Sequence, residues 1–427
     1  MFSKSDWCMR SKCFALLTII LFGAIACMQK SEAPPPNVRL GSDVLADNGL
    51  EFLNGKRVGL ITNQTGLTSD GRHVADLLAE NANVELVALM GPEHGIRGDA
   101  EAGAKVDGAR DAKTGVPIFS LYGQTRKPTP EMLKGLDALV FDIQDIGTRF
   151  YTYISTMSLA MEAAAEAGLM FVVLDRPNPI GGHLVEGPVL APEHKSFVGI
   201  HPIPLRHGMT VGELARLFNE EGWLANGVKA NLQVVRCEGW RRNMIFRDYG
   251  SRWVPPSPNI PTPESALLYP GTGLIETLRT FSEGRGTEQP FEMVGAPWLN
   301  SEVLISALTD AGIAGVAFEP ATFTPVDIPG KATGNKYDQQ LCNGVHFVIQ
   351  DGHKLPAVRL GFELLVALQK HFPQQLEIKQ KSVERLTGQS WIYESLLRGV
   401  TADTIAAKWQ DDLDKFMQVR SKYLLYE

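Results

Sequence analysis

The sequence predicts an α/β fold on three observations. Short runs rich in β-branched residues recur from Gly55 onward, helical stretches separate them, and the runs are apolar on both faces. Strands buried on both sides and joined through helices describe a parallel sheet with helices packed on each face. The expectation is a Rossmann-like domain over residues 39–265, followed by a smaller α+β auxiliary domain over 266–427.

The strand-like runs are Arg57–Thr62 (RVGLIT), 84–90 (VELVALM), 138–143 (ALVFDI) and 171–175 (FVVLD). Between the last two, residues 156–168 are rich in Ala, Met and Glu, a helix with Gly168 at its stop. Residues 253–263 (WVPPSPNIPTP) hold too much proline for a helix and too few donors for a sheet, so they form a rigid strap. That change of texture places the domain boundary near residue 265. Beyond it lie a strand at 345–350 and helices at 356–371 and 401–423. No repeat of 20–50 residues is visible, which argues against solenoids and propellers.

Ahead of the fold, Lys4, Arg10 and Lys12 precede an apolar run at 14–25 that is too short to span a bilayer. The run ends in Ala24-Ile25-Ala26-Cys27, like a bacterial lipoprotein signal. Residues 1–26 are the expected signal peptide, Cys27 the expected lipidation site, and 27–38, with three consecutive prolines, a tether. The expected location is the periplasmic face of the cell envelope, with a preference for the outer membrane because Met28 follows the cysteine. Cys237 and Cys342 then remain, too few for a disulfide framework in so long a chain.

Composition narrows the function classes. Of 427 residues, 44% are hydrophobic and 21% charged, a balance that fills a large core and excludes extensive disorder. Lys and Arg number 41 against 48 Asp and Glu, a net charge of −7, whereas phosphate neutralisation in a nucleic-acid binder calls for a basic surplus. The chain also lacks the Gly-x-Gly-x-x-Gly and Gly-x-x-x-x-Gly-Lys-[Ser/Thr] cradles and a Gly-x-Ser-x-Gly elbow. No nucleotide cofactor is expected despite the fold.

In open α/β sheets ligands bind outside the carboxyl ends of the strands. Four polar loops stand at those ends here: one around Asn63 and Gln64; Gly91-Pro92-Glu93-His94-Gly95-Ile96-Arg97-Gly98; 144–151, with Asp145, Arg149 and Tyr151; and Arg176-Pro177-Asn178-Pro179. Glu93, in a glycine-bounded loop, has the character of a general acid in an enclosed site, with His94 beside it. Asp142, Asp145 and Arg149 offer a second carboxylate or sugar acceptors, and a loop-fixing Asp–Arg pair is the plainer alternative. Tyr151 and Tyr153 are placed to stack on or donate to a ring. Asp175 with Arg176, Glu186, His207, and Glu283 with Arg285 in a second glycine-rich loop complete the polar candidates. His94, Asp142, Asp145 and His207 lack the His-x-x-x-His or His-Glu-x-x-His spacing of a metal site, so no metal is expected.

The runs Leu60-Ile61-Thr62-Asn63-Gln64-Thr65-Gly66, Gly91 to Gly98 and Phe141-Asp142-Ile143-Gln144-Asp145 resemble those of NamZ-type exo-β-N-acetylmuramidases. So do Arg149-Phe150-Tyr151-Thr152-Tyr153, Asp175-Arg176-Pro177-Asn178-Pro179 and the terminal Tyr423-Leu424-Leu425-Tyr426. The resemblance runs from about residue 40 to the end. It implies a Rossmann-like domain and an auxiliary domain with the active site in the cleft between them. It also implies release of N-acetylmuramic acid from the non-reducing end of peptidoglycan fragments. The catalytic glutamate of that family falls on Glu93, with His94, Asp145, Tyr151 and Glu186 in supporting catalytic roles. Asn63, Gln64, Arg97, Asp142, Arg149, Tyr153, Asp175, Arg176, Asn178, His207, Glu283 and Arg285 are the expected substrate contacts. Among them Arg97, Arg149 and Arg176 are the cations for the lactyl carboxylate. Retaining, inverting and substrate-assisted routes all stay open. The competing readings are a non-catalytic lipoprotein that captures muropeptides and a metal-dependent envelope hydrolase.

Overall fold

A computed structural model describes residues 37–427 except 49, 93–94, 98–108 and 251. The expected signal peptide, Cys27, Glu93 and His94 therefore lie outside the described residues.

The chain enters through α1 (Gly41–Asp47), whose first residue fits only because it lacks a side chain. A Cβ on Gly41 would stand 2.5 Å from both Asp175 N and Val235 O. Then come β1 (Arg57–Thr62), α2 (Val74–Glu80), β2 (Glu85–Gly91), β3 (Ile118–Ser120), β4 (Ala138–Asp142), α3 (Tyr153–Glu166), β5 (Met170–Leu174), α4 (Val211–Glu220) and β6 (Asn231–Val235). The strands form one sheet in the order β3-β2-β1-β4-β5-β6, every neighbouring pair parallel. This is the doubly wound order, and its direction reverses between β1 and β4, the crevice where such sheets bind ligands.

Side-chain alternation sorts the two faces. Val58, Leu60, Val140, Val172 and Leu174 enter a core under α1 and α2. Ile61, Leu139, Phe141, Phe171 and Val173 point the other way, against α3 and α4. With a period of two and both faces covered, the central strands must be apolar throughout, which is the pattern the sequence displays. The two strands it does not announce are the edges. β3 is three half-buried residues, and β6 alternates exposed with partly buried positions.

The strap leads into α5 (Pro263–Thr272), with Pro263 in the first turn and the Thr262 hydroxyl accepting from Ser265 N. After it come β7 (Met293–Ala296), α6 (Ser301–Asp310), β8 (Val316–Phe323), β9 (Cys342–Ile349), α7 (Ala357–His371), α8 (Gln380–Thr387), α9 (Trp391–Leu397) and α10 (Ala402–Arg420). The three strands make a small antiparallel sheet in the order β7-β9-β8. Helices α5 and α7 cross at a glycine pair, where a Cβ on Gly271 would stand 1.9 Å from Ala357 O and one on Gly361 2.5 Å from Gly271 O. The larger core is continuous from the α3 face of the parallel sheet into α5, α7 and α10. Cys237 and Cys342 are both buried and unbonded.

The terminal segment returns to the parallel sheet. Tyr426 packs edge-on against Trp240. Its hydroxyl donates to Asp175 (2.5 Å) and accepts from Cys237 N (2.9 Å), while Leu425 N donates to Glu213 (2.7 Å).

Candidate active site

The site is assembled at the reversal point. Thr62 and Asp142 end β1 and β4 opposite one another, and the Thr62 hydroxyl donates to Asp142 O at 3.0 Å. The following loops are stitched together, with Gln144 N donating to the Thr65 hydroxyl (2.9 Å) and Gln144 Nε2 to Pro177 O (2.9 Å) beyond β5. His73 holds the first loop from below. Its Nδ1 accepts from Ala75 N, which leaves the Nε2 proton to donate to Asn63 O at 3.0 Å.

Asn63 and Gln64 are each half used. Asn63 Oδ1 accepts from Thr65 N and hydroxyl (2.9 and 2.6 Å), and Gln64 Nε2 donates to the strap carbonyls of Pro255 and Pro256 (2.9 and 3.1 Å). Their other amide atoms, Asn63 Nδ2 and Gln64 Oε1, are buried without a partner among the described residues, as are Asp145 Oδ1 and Thr148 Oγ1. Buried polar atoms are ordinarily paired, because leaving one unpaired costs about 1–3 kcal/mol. Four such atoms lie on the loops after β1 and β4, polar capacity held in the packed loops at the reversal point.

Asp145 is fixed through its other oxygen, which accepts from Gly147 N (2.7 Å) and lies 3.4 Å from His207 Nε2. His207 Nδ1 accepts from Met209 N, so the proton of the neutral ring is on Nε2 and faces the carboxylate. Tyr151 and Tyr153 meet edge to face, and the Tyr153 hydroxyl donates to Pro256 O at 2.6 Å. Burial raises the Tyr151 phenol well above its ordinary pKa, with Tyr153 adding to the effect, so it stays a neutral donor. The ring ladder continues through Tyr269 to Phe291, over which the Arg285 guanidinium sits at 5.1 Å. It thereby joins the β4 loop to the glycine-rich loop of the second part. There Glu283 takes Lys336 (2.7 Å), and Arg285 takes Glu276 (2.5 Å).

Several expected contacts are placed elsewhere. Arg149 is buried at 1% exposure and donates to the carbonyls of Pro188, Ile203 and Leu386, which makes it an internal staple rather than a substrate cation. Arg97 is taken by Asp111 (2.7 and 2.9 Å) and Asp76 (2.9 Å). Glu186 pairs with buried Arg206 at 3.0 Å and accepts from the backbone of Val358 and Arg359, so it caps α7 instead of standing on the rim. Asp175 accepts from the Thr210 hydroxyl, Gly212 N and Tyr426, anchoring α4 and the returning terminus. Burial lifts its carboxyl to about 6. Asn178 accepts from Ile180 N within its own turn and donates to Met209 O of the 205–209 turn. Asp142 and Arg176 form the plainer alternative, a two-pronged buried pair (2.6 and 2.9 Å).

Two residues absent from the sequence reading stand out. Tyr269 is the middle rung of the ring ladder. Glu292 is nearly buried, with the strap's Thr262 hydroxyl as donor and no cation bonded to it, and burial raises its pKa. Glu292, between Phe291 and Met293, lacks the turn-forming neighbours that mark the other candidates, and Tyr269, though followed by Pro270-Gly271, lies within helix α5 rather than a polar loop. Among the described residues no three His, Cys, Asp or Glu side chains are grouped to hold a metal ion.

Comparison with known proteins agrees with this geometry. The N-terminal region of exo-β-N-acetylmuramidase NamZ matches residues 58–264 and its C-terminal region matches 267–426. A peptidoglycan β-N-acetylmuramidase NamZ from Bacillus subtilis (strain 168) is 46% identical over 426 residues, covering 98% of this chain and 100% of the relative. Crystal structures of two DUF1343 family proteins from Bacteroides fragilis NCTC 9343 share the fold. One has a TM-score of 0.85 at 40% identity, covering 92% of this chain and 100% of that one. The other has 0.74 at 34%, covering 92% and 99%. A doubly wound sheet with its polar rim at the reversal point, followed by an antiparallel second part and matched along nearly its whole length, belongs to the NamZ family of exo-β-N-acetylmuramidases, which are glycoside hydrolases.

Proposed function

We propose that this enzyme releases N-acetylmuramic acid from the non-reducing end of peptidoglycan fragments. The observation that carries the reading is the near full-length similarity to the Bacillus subtilis muramidase. The polar loops at the strand ends where the sheet order reverses supply the place.

Glycosidic cleavage needs a protonated carboxyl at the leaving oxygen and, in most families, a second carboxyl across the ring. Glu93 takes the first role. It follows the last residue of β2, Gly91, by two positions, and β2 lies beside β1 in the sheet. Asp145 takes the second, its Oδ2 held by Gly147 N and its Oδ1 without a partner among the described residues. The test is release of sugar from a muramyl-glucosamine disaccharide by the wild type and by Glu93→Gln. Turnover in the wild type and a loss of at least about 10³-fold in the variant is expected. No release by the wild type rejects the activity, and an unimpaired variant rejects the assignment of the acid.

The lipid anchor is part of the same proposal. Its support is the apolar run ending at Cys27 and the proline tether behind it. Cys27→Ser is expected to shift the protein from the membrane fraction to the soluble envelope fraction, and an unchanged distribution overturns the anchor.

A further inference from the structure

A cavity of about 630 Å³ opens beside the rim and has no assigned occupant. Thr65, Gln144 and Arg176 line it at the reversal point, together with the aromatic side chains of Phe246, Tyr249 and Trp253. The size falls within the range of small-molecule sites, roughly 300–1,000 Å³.

The lining has a definite chemistry. It contains two arginines and, among the described residues, no Asp or Glu. Arg176 is neutralised by Asp142, whereas Arg252 is exposed and no described residue pairs with it. The cavity therefore presents one uncompensated guanidinium, a group suited to two-pronged capture of a carboxylate. Phe246 meets Tyr249 and Trp253 edge to face at 5.3 and 4.8 Å, giving a rigid aromatic wall for the apolar face of a pyranose. The hydroxyl protons of Thr65, Thr68 and Ser69 are committed to Asn63, Asp70 and Asp43, and Gln144 Nε2 to Asp145 O and Pro177 O, so recognition rests on Arg252 and the aromatic wall. Without a carboxyl in its lining the cavity binds rather than cleaves, since glycosidic cleavage requires a carboxyl at the bond. It is nevertheless contiguous with the rim. The chain passes from Trp253 and Val254 in the wall directly to Pro255 and Pro256, whose carbonyls hold Gln64 and Tyr153.

We infer that this cavity is a distal glycan subsite for a carboxylated acetamido sugar of the leaving chain. The inference rests on the proposed muramidase reading. In a chain that alternates muramic acid with glucosamine, a terminal muramic acid is followed two units on by another. The cavity takes that second lactyl carboxylate on Arg252 and that second ring on Trp253. The enzyme is thereby adapted to longer fragments rather than to the minimal disaccharide.

The test compares kcat/KM for release of the terminal sugar from the disaccharide MurNAc-GlcNAc and from the tetrasaccharide (MurNAc-GlcNAc)₂. A second tetrasaccharide carries its internal lactyl group as the amide. Wild type is expected to favour the acid tetrasaccharide over the disaccharide about tenfold, through KM. Arg252→Ala, or the amide substrate, brings that ratio to about one. A wild-type ratio of one, or a ratio unchanged by Arg252→Ala, overturns the subsite. If neither substrate is cleaved, the muramidase reading fails and calorimetry with the acid tetrasaccharide decides the cavity. About tenfold weaker binding by Arg252→Ala supports it, and equal or absent binding overturns it.

Discussion

At the scale of single residues, the question is what each polar side chain faces. Asp145 and Arg149 stand four positions apart in one loop, yet Asp145 keeps one oxygen unpaired among the described residues while Arg149 spends its guanidinium on three backbone carbonyls. Asp145→Asn is expected to lower kcat for sugar release by about 10² or more with little change in thermal midpoint. Arg149→Ala is expected to do the reverse. It unpairs three buried carbonyls and leaves a void, and should cost about 3–5 kcal/mol in urea unfolding. A raised KM with undiminished stability would instead restore Arg149 as a substrate cation. The candidate site was only half legible in sequence for this reason. Turn-forming neighbours mark a polar residue as lying in a loop, but whether its head group meets solvent or distant carbonyls such as Leu386 O is decided by chain folding back from far along the sequence.

At the scale of elements, the start of α4 shows how burial sets a pH response. Asp175 holds Gly212 N and the Thr210 hydroxyl at that helix terminus, and its carboxyl rises from the ordinary 3.8 to about 6 because burial outweighs its hydrogen bonds. The folded state thus binds this proton more tightly than the unfolded chain. Its contribution is full below about pH 4 and is lost as pH rises through about 6, a change of about 3 kcal/mol. The stability difference between wild type and Asp175→Asn should therefore shrink from pH 4 to 6 and turn toward the variant, measured by denaturation across that range. A constant difference would place the charge elsewhere. Where α5 crosses α7 the contact is backbone on backbone, so Gly271→Ala must push the helices apart. A fall in thermal midpoint of several degrees is expected, whereas an unchanged midpoint would mean the crossing is loose.

At the scale of the whole molecule, the sheet was legible where both faces are covered and illegible where they are not. The runs at β1, β2, β4 and β5 are apolar throughout because helices lie above and below, and those strands end within about a residue of where the sequence puts them. β3 and β6 are edges, half wetted, and carry no such run. In the second part β8 was missed because its middle, Glu319 and Pro320, is exposed, whereas β7 is buried but only four residues long, Met293–Ala296. The strap was legible from proline alone, but its role, accepting from Gln64 and Tyr153 at once, was not, because backbone carbonyls leave no mark in a sequence. The terminal segment carries a consequence for truncation. Tyr426 packs beside Trp240 and Cys237 and bonds Asp175 after β5, so this seam of the parallel-sheet region closes only once residues 421–427 are in place. A chain cut after Arg420 leaves that seam wet, and limited proteolysis would then reach the β5 and β6 ends that the intact chain shields.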